Sequence, residues 1–595
     1  MKKLADHPQF HLLLLLLWAV IGLALRLINL ASKPLWTDEF ATIVFSLGNS
    51  FLSIPLDQVL TADQLLQPLQ PDSTVGMREV VSHLLNESNH PPLYFLLTHV
   101  WLKLFPGLDG MVLVWAVRSL PAILGAMSIP AIYGLSWLAF RSRLIAHITA
   151  AFMAVSPFGI YLAQEARHYT LPILWIIASL ACLIMAARSI RDRTVLPIPI
   201  CIAWVVVNAL GLATHFFFAF TLMAEAMVIA AIGLVQSWRE RGMWYPSAHW
   251  WRIWAVAAAT GASGLVWIPF IQDIQDSELT RWIFRDIWAG LEWLTPIAQA
   301  IAGWITMLYL LPIQADSPLL MVGSAMALLL FVFWTIPKLY WGLSVINLGY
   351  EERTSAWVFE GFVAGSIGLF LGVTYLLNAD LTSAFRYNFV YFPGVVILIG
   401  VGLSSGWNIA SRIAEAPADR VPPSLLGVLR TGGRKTIILI ILLSLLGALT
   451  VVTNQGYQKI HRPEVVAETI QRQSKGTVLV AIAHRTHGQT GRLMGIAWDL
   501  QHPTAENPKI NSSLNPLYLL AHHSQQPRSV TASLRKALNT LPAPLDLWLI
   551  NFQDVPTKPL ESVLQNNRCT AQDRTQSVDG YRYRRYTCTG SVSPQ

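Results

Sequence analysis

The chain has 595 residues, of which 54% are hydrophobic and only 13% charged, with a formal net charge of +8. Soluble proteins carry about 25% charged residues, so this balance, with a mean hydropathy of +0.47, excludes an ordinary soluble enzyme and indicates a polytopic membrane protein. Basic residues of such proteins collect on cytoplasmic loops, so the positive charge is no argument for a nucleic-acid partner.

The N-terminal Met1–Phe10 is short and carries Lys2 and Lys3. His11–Leu30 is apolar and long enough for one span of roughly 20 residues. No small-residue cleavage site follows, so it reads as an anchor with a cytoplasmic N-terminus rather than a signal peptide. A long loop, 31–115, comes next. It opens on Pro34-Leu35-Trp36-Thr37-Asp38-Glu39 and contains His90-Pro91-Pro92-Leu93-Tyr94. Leu93–Phe105 is too short to span, and a helix lying along the membrane surface suits it better. Two prolines fit the start of that helix, where no backbone donor is needed.

Spans are predicted at Val117–Phe140, Leu144–Ala163, Leu171–Ala187, Pro197–Thr214, Phe217–Gln236 and Ile253–Ile271. After a second long loop, 272–317, they resume at Pro318–Ile336, Trp357–Leu377, Phe389–Leu403 and Thr436–Val452, about eleven in all. Trp282, Trp288, Trp293 and Trp304 in the second loop suit an interfacial helix. With the N-terminus inside, Arg141/Arg143, Arg188/Arg191/Arg193, Arg239/Arg241 and Arg412/Arg420/Arg430/Arg434/Lys435 all fall in the cytoplasm, as the positive-inside rule requires. Both long loops, the Gln164–Tyr169 turn, His215, Arg386 and the C-terminus then lie outside. The candidate chemistry converges on one face of the cell membrane.

The expected fold is thus an α-helical polytopic membrane domain, 1–454, followed by a small extracytoplasmic α/β domain, 455–595. In that tail Thr477–Ala483 and Asp546–Phe552 read as buried strands. Val465–Gln473, Val530–Leu541 and Leu560–Asn567 read as helices, and Tyr581–Thr589 alternates as an edge strand. Cys569 and Cys588 can form a disulfide in an extracytoplasmic tail. Cys182 and Cys201 lie in apolar segments and read as small core residues.

Several groups are candidates for chemistry. Asp38 and Glu39 form an acidic pair where the chain leaves the bilayer, which is costly to dehydrate and points to function. A helix-capping role is the plain alternative. Gln164-Glu165-Ala166-Arg167-His168-Tyr169 joins two spans. An interfacial belt explains its Arg and Tyr but not Glu165, an acid that needs a partner at that depth. Arg386 and Tyr387 sit at the outer end of a span, where an Arg can hold a lipid phosphate or anchor in the headgroups. Glu225 reads as a buried structural acid paired across helices. Walker, dinucleotide and zinc-ligand patterns do not occur, so an activated group must come from the membrane.

Trp36-Thr37-Asp38-Glu39, His90-Pro91-Pro92-Leu93-Tyr94, Arg118-Ser119-Leu120-Pro121-Ala122 and Gln164-Glu165-Ala166-Arg167-His168-Tyr169, in this order, resemble the motif set of bacterial C-type (GT-C fold) membrane glycosyltransferases. These are similar to dolichyl-phosphate-mannose protein mannosyltransferases and to aminoarabinose transferases of lipid A. The resemblance covers roughly the first 240 residues and, more loosely, Arg386-Tyr387 through Pro393. It implies a polyprenyl-phosphate sugar donor, transfer of a hexosyl or pentosyl group to a protein, lipid or glycan hydroxyl, and Asp38 as the catalytic acid of the first loop, with Glu39 beside it. Glu165 is the counterpart of a second acid. His90, Arg167, His168, Tyr169, Arg386 and Tyr387 are the expected donor-phosphate and substrate contacts, His90 among the cationic ones. A divalent metal between Asp38 and Glu165 is compatible but not required. Where protein mannosyltransferases have an arginine followed later by an aspartate, this chain has Gln-Glu-Ala-Arg, which opens the question of the acceptor. The competing classes are a transporter or lipid flippase working through Glu225, and a polymerase or ligase of lipid-linked polysaccharide.

Overall fold

A computed structural model describes residues 7–240, 248–271, 278, 280–284, 288, 290–312, 317–345, 348–407, 433–455, 461–502, 514–523 and 528–590. Arg241, Arg412, Arg420 and Arg430, expected on cytoplasmic loops, lie outside the described residues. In chain order the membrane part begins with α1 (Pro8–Leu27), α2 (Thr37–Ser46), the two-residue strand β1 (Val59–Leu60), α3 (Ala62–Leu66), α4 (Met77–Glu87) and α5 (Leu93–Leu102). It continues with α6 (Val114–Phe140), α7 (Arg143–Val155), α8 (Pro157–Ala163), α9 (Thr170–Arg191), α10 (Ile198–Thr214), α11 (Phe218–Glu240), α12 (Ala248–Leu265) and α13 (Ile268–Ile271). It closes with α14 (Thr295–Leu308), α15 (Pro318–Val345), α16 (Tyr350–Leu376), α17 (Phe392–Trp407) and α18 (Arg434–Val452).

Seven of the described helices are long and apolar enough to cross a membrane: α1, α6, α9, α11, α15, α16 and α18. The pair α7 and α8, bent by 53°, passes the same test together, as a broken span or a re-entrant loop. The bend has a local cause. Pro157 has no amide proton for the helical ladder, and α7 ends at Val155 with Ser156 as a cap that accepts from the Gly159 amide at 3.4 Å. The carbonyls released at the end of α7 are taken by Arg26 of α1. Arg26 is fully buried and donates to Met153 O at 2.9 Å and Ala154 O at 3.1 Å. The expected spans of residues 197–214, 253–271 and 389–403 correspond to α10, α12 and α17, which are shorter or less apolar than the seven.

The tail contains α19 (Pro463–Gln473), β2 (Thr477–His484), α20 (His487–Gln501), β3 (Leu517–His522), α21 (Arg528–Thr540), β4 (Leu545–Ile550), α22 (Thr557–Asn566), β5 (Cys569–Ala571), β6 (Gln576–Val578) and β7 (Tyr581–Cys588). One sheet runs in the order β1-β3-β2-β4-β7-β5, with β6 also paired to β7. β3, β2 and β4 are parallel and buried on both faces, as their unbroken apolar runs require. Two findings differ from the sequence reading. β7 is not an edge strand: it pairs with β4 on one side and with β5 and β6 on the other. The first loop also gives the sheet a strand, β1 pairing antiparallel with β3. Cys569 and Cys588 face each other in register across β5 and β7 and form a disulfide. The tail is therefore bound to the first loop, and α20 packs directly on α2.

Candidate active site

α2 begins at Thr37 with Trp36 as its N-cap, so both acids of the pair fall in the first turn, where the helix dipole favours negative charge. Their surroundings differ. Glu39 is wholly buried. Arg118 of α6 grips it with two bonds, Nε to Oε1 at 2.7 Å and Nη2 to Oε2 at 2.8 Å. The other Arg118 protons go to the carbonyls of Leu30 and Lys33 at 2.9 Å and of Pro34 at 3.1 Å. All of the guanidinium's N–H groups are thereby used. Glu39 also accepts from the Ala166 amide at 2.9 Å and the Trp36 amide at 3.4 Å. The carboxylate thus ties together the α1–α2 connection, α6 and the α8–α9 turn.

Asp38 remains open. Its side chain is 30% exposed, and its Oδ2 lies 3.8 Å from Arg167 Nη2 and 3.6 Å from Arg386 Nη2. Both separations exceed a hydrogen bond, and among the described residues no donor reaches the Asp38 carboxylate. Burial works to raise its pKa, but Arg167 and then Arg386 outweigh that and hold the carboxyl below the usual aspartate value. It is ionised at neutral pH with its oxygens still free to accept a proton.

The Gln164–Tyr169 turn delivers the first of these cations. Gln164 fixes the turn to α1, donating to Leu25 O at 3.1 Å and Ile28 O at 2.9 Å and accepting from Lys33 Nζ at 2.8 Å. Arg167 Nη1 donates to Asp38 O and to Thr42 Oγ1, each at 3.0 Å. Its Nη2 lies 3.2 Å from His90 Nε2. A guanidinium has no acceptor, so His90 Nε2 accepts and its proton sits on Nδ1, 3.0 Å from Ser88 Oγ. Burial, helped by Arg167, lowers the His90 pKa to about 3. In its neutral form His90 accepts from Arg167 and orients its guanidinium. Tyr169 packs against the Arg167 guanidinium, 5.7 Å from its ring centroid. Glu165, 2% exposed, lies in the same turn, and its carbonyl accepts from the Arg167 amide at 2.7 Å.

Arg386 is 5% exposed and packed over Trp36 (5.1 Å), Tyr387 (5.5 Å) and Trp282 (5.9 Å). Its Nε and Nη1 are buried without a hydrogen-bond partner. His168 is also fully buried with both ring nitrogens unpartnered, set edge-on to His215 at 4.5 Å. Burial first, then His215, holds it neutral, well below the usual histidine value. Tyr387 stands against Phe217 at 4.3 Å.

The cations nearest to Asp38 are the Arg167 and Arg386 guanidinium groups. Among the described residues no group of three or more His, Cys, Asp or Glu is placed to hold a metal ion. Glu225, inside α11, accepts from Ser179 Oγ of α9 at 2.9 Å and Trp204 Nε1 of α10 at 3.3 Å, so it joins three helices within the membrane part.

No local sequence pattern marks what the tail adds. His461 lies 5.8 Å from the Trp36 ring, and Arg492 of α20 contacts it, Nη2 to Nε2 at 3.3 Å. A Cβ on Gly491 would meet Thr37 at 3.1 to 3.4 Å, which shows how closely α20 lies on the start of α2.

No protein-family profile matches the chain, and no curated protein matches it. Among solved structures it is similar to ArnT from Cupriavidus metallidurans bound to undecaprenyl phosphate, with 13% identity over 98% of this chain and 99% of that one and a TM-score of 0.47. It is also similar to the archaeal oligosaccharyltransferase AglB from Archaeoglobus fulgidus in complex with an inhibitory peptide and a dolichol-phosphate, with 13% identity over 82% of this chain and 64% of that one and a TM-score of 0.39. Both are GT-C fold glycosyltransferases, the class that the sequence motifs resemble.

Proposed function

We propose that this chain is an integral membrane glycosyltransferase that moves a sugar from a polyprenyl-phosphate donor to an acceptor hydroxyl on the outer face of the cell membrane. The observation that carries the reading is the pairing of an ionised, partly open Asp38 with Arg386, whose Nε and Nη1 are buried and unpartnered. An unmade buried hydrogen bond costs about 1–3 kcal/mol, and an anionic ligand would make these two. The acceptor oxygen attacks the anomeric carbon while Asp38 takes its proton as general base. The bond from that carbon to the phosphate oxygen breaks, and the polyprenyl phosphate leaves with the electron pair. Arg386 and Arg167 meet the growing negative charge with donors already in place.

The other residues position these groups. Glu39 and Arg118 fix the first turn of α2, and neutral His90 aims Arg167. Glu165 sets the turn that carries Arg167. His168, Tyr169 and Tyr387 line the donor side. Donor binding also tunes the base. A phosphate on Arg386 cancels part of the positive field that holds the Asp38 pKa down, so the carboxylate becomes more basic when the substrate is in place. Charge supports the orientation: Arg118 and Tyr169 stand at the starts of α6 and α9, while Arg141, Arg188 and Arg191 stand at their other ends.

The test is binding of undecaprenyl phosphate to the purified protein in nanodiscs. Arg386→Gln should weaken it by roughly 10- to 100-fold, the worth of one or two charge-assisted hydrogen bonds, with Arg386→Lys in between. Equal affinity in wild type and Arg386→Gln would remove Arg386 from the donor site.

A further inference from the structure

The wall that the tail adds beside Asp38 carries its own cation. Among the described residues, Arg492 has no carboxylate within salt-bridge distance, and its one side-chain hydrogen bond is the 3.3 Å contact to His461 Nε2. Since the guanidinium can only donate, His461 Nε2 accepts and its proton sits on Nδ1. His461 is 8% exposed, and that Nδ1 is buried with no partner. Arg492 Nε is likewise buried and unpartnered. The cluster therefore offers two unused N–H donors and one positive charge that, among the described residues, has no ion-pair partner. Buried donors of this kind are rare in folded proteins and call for a ligand or an ion. Trp36 touches both cation clusters, Arg386 on its ring at 5.1 Å and His461 at 5.8 Å. Asp38 lies close enough for its charge to act on both His461 and Arg492.

We propose that Arg492 and His461 form an anion subsite on the acceptor side, taking a phosphate or carboxylate that the acceptor carries near the hydroxyl Asp38 deprotonates. This rests on the glycosyltransferase reading for the word acceptor. The chemistry selects an anion because every available group is a donor and one is charged. A neutral sugar hydroxyl would leave the Arg492 charge without an ion-pair partner. The donor phosphate already has Arg386 and Arg167. The subsite belongs to the tail, outside the spans that would hold a lipid chain. An anion held there would also make Asp38 a stronger base, in the same sense as the donor phosphate.

The experiment uses the full chain in nanodiscs saturated with undecaprenyl phosphate, so that the donor cations Arg386 and Arg167 are already occupied, with inorganic phosphate and glucuronate as probes and glucose as the neutral control. Anion binding to the folded state raises the melting temperature with concentration and yields an apparent Kd. At least one anion should raise it in wild type, glucose should not, and the effective anion identifies which group the acceptor carries. Arg492→Gln should weaken that binding about tenfold or more. Arg492→Lys should keep most of it, and Arg386→Gln should keep all of it. His461→Phe, which removes the free donor and keeps the Arg492 charge, should weaken it as well and serves if Arg492→Gln does not fold. The proposal is overturned if neither anion acts on wild type, if the effect survives Arg492→Gln, or if Arg386→Gln abolishes it. A failed glycosyltransferase reading would show separately, as undecaprenyl phosphate binding indifferent to Arg386→Gln.

Discussion

Arg118→Met should be the most destabilising single change near the site that leaves Asp38 untouched. Arg118 and Glu39 are both completely buried and joined at 2.7 and 2.8 Å. Removing the guanidinium takes both charge-assisted bonds from Glu39 and the donor from the Leu30, Lys33 and Pro34 carbonyls. Breaking a buried ion pair from one side costs about 3–5 kcal/mol, and the lost bonds to the three carbonyls add to it. We expect a loss of about 4 kcal/mol or more, read as the shift in free energy of unfolding in mixed micelles titrated with sodium dodecyl sulfate. The double variant Arg118→Met/Glu39→Leu removes the orphaned charge. It should recover at least about 2 kcal/mol of the single loss, since replacing both partners by apolar groups is far milder than removing one. A single-variant loss under about 1 kcal/mol, or a double variant no better than the single, would refute the view that this pair holds the active-site loop.

Two further predictions concern pH. The folded-state pKa values of His90 and His461 are lowered to about 3 and that of His487 to about 4, in each case first by burial. The unfolded chain takes up those protons near the ordinary value of about 6.5. Their contribution to stability is thus complete above that pH and is lost as pH falls toward the folded values, by up to about 1.4 kcal/mol per unit for each group. Melting between pH 7 and 4.5 should fall steadily, and His461→Phe should flatten the slope; a flat wild-type profile would contradict the burial of these rings. The second concerns Asp38. The acid limb of kcat/KM reports free enzyme and that of kcat the complex. With the donor phosphate on Arg386, the kcat limb should lie at higher pH than the kcat/KM limb, and coincident limbs would remove the coupling between donor binding and base strength.

Much of the site was legible because the chemistry is local. Trp36-Thr37-Asp38-Glu39 and the Gln164–Tyr169 turn each place several polar groups within a few residues at a membrane boundary, and the two meet through the Ala166 amide on Glu39. The division of labour inside the acidic pair was not legible. Successive helix positions point about 100° apart, and only the partners tell which acid is buried and which is open. The contribution of the tail was hidden for a different reason. α20 carries Gly488, Gly491 and Gly495, which lower helix propensity. Gly491 is there for the close approach to Thr37, a tertiary demand no local pattern reveals. β1 is two residues long and becomes a strand only by pairing with β3. The alternation of Tyr581–Thr589 resembled a strand with one open side, because its outer neighbours β5 and β6 are three residues each.

The most direct measurement is mass spectrometry of polyprenyl-phosphate lipids extracted from cells carrying Asp38→Asn or the wild-type chain. The substitution keeps the shape of the side chain and removes its charge and its capacity to take a proton. If Asp38 is the general base, one sugar-bearing polyprenyl phosphate accumulates in the variant, and its mass identifies the donor. An unchanged lipid profile, with the variant present in the membrane at wild-type level, would contradict both the role of Asp38 and the glycosyl-transfer reading.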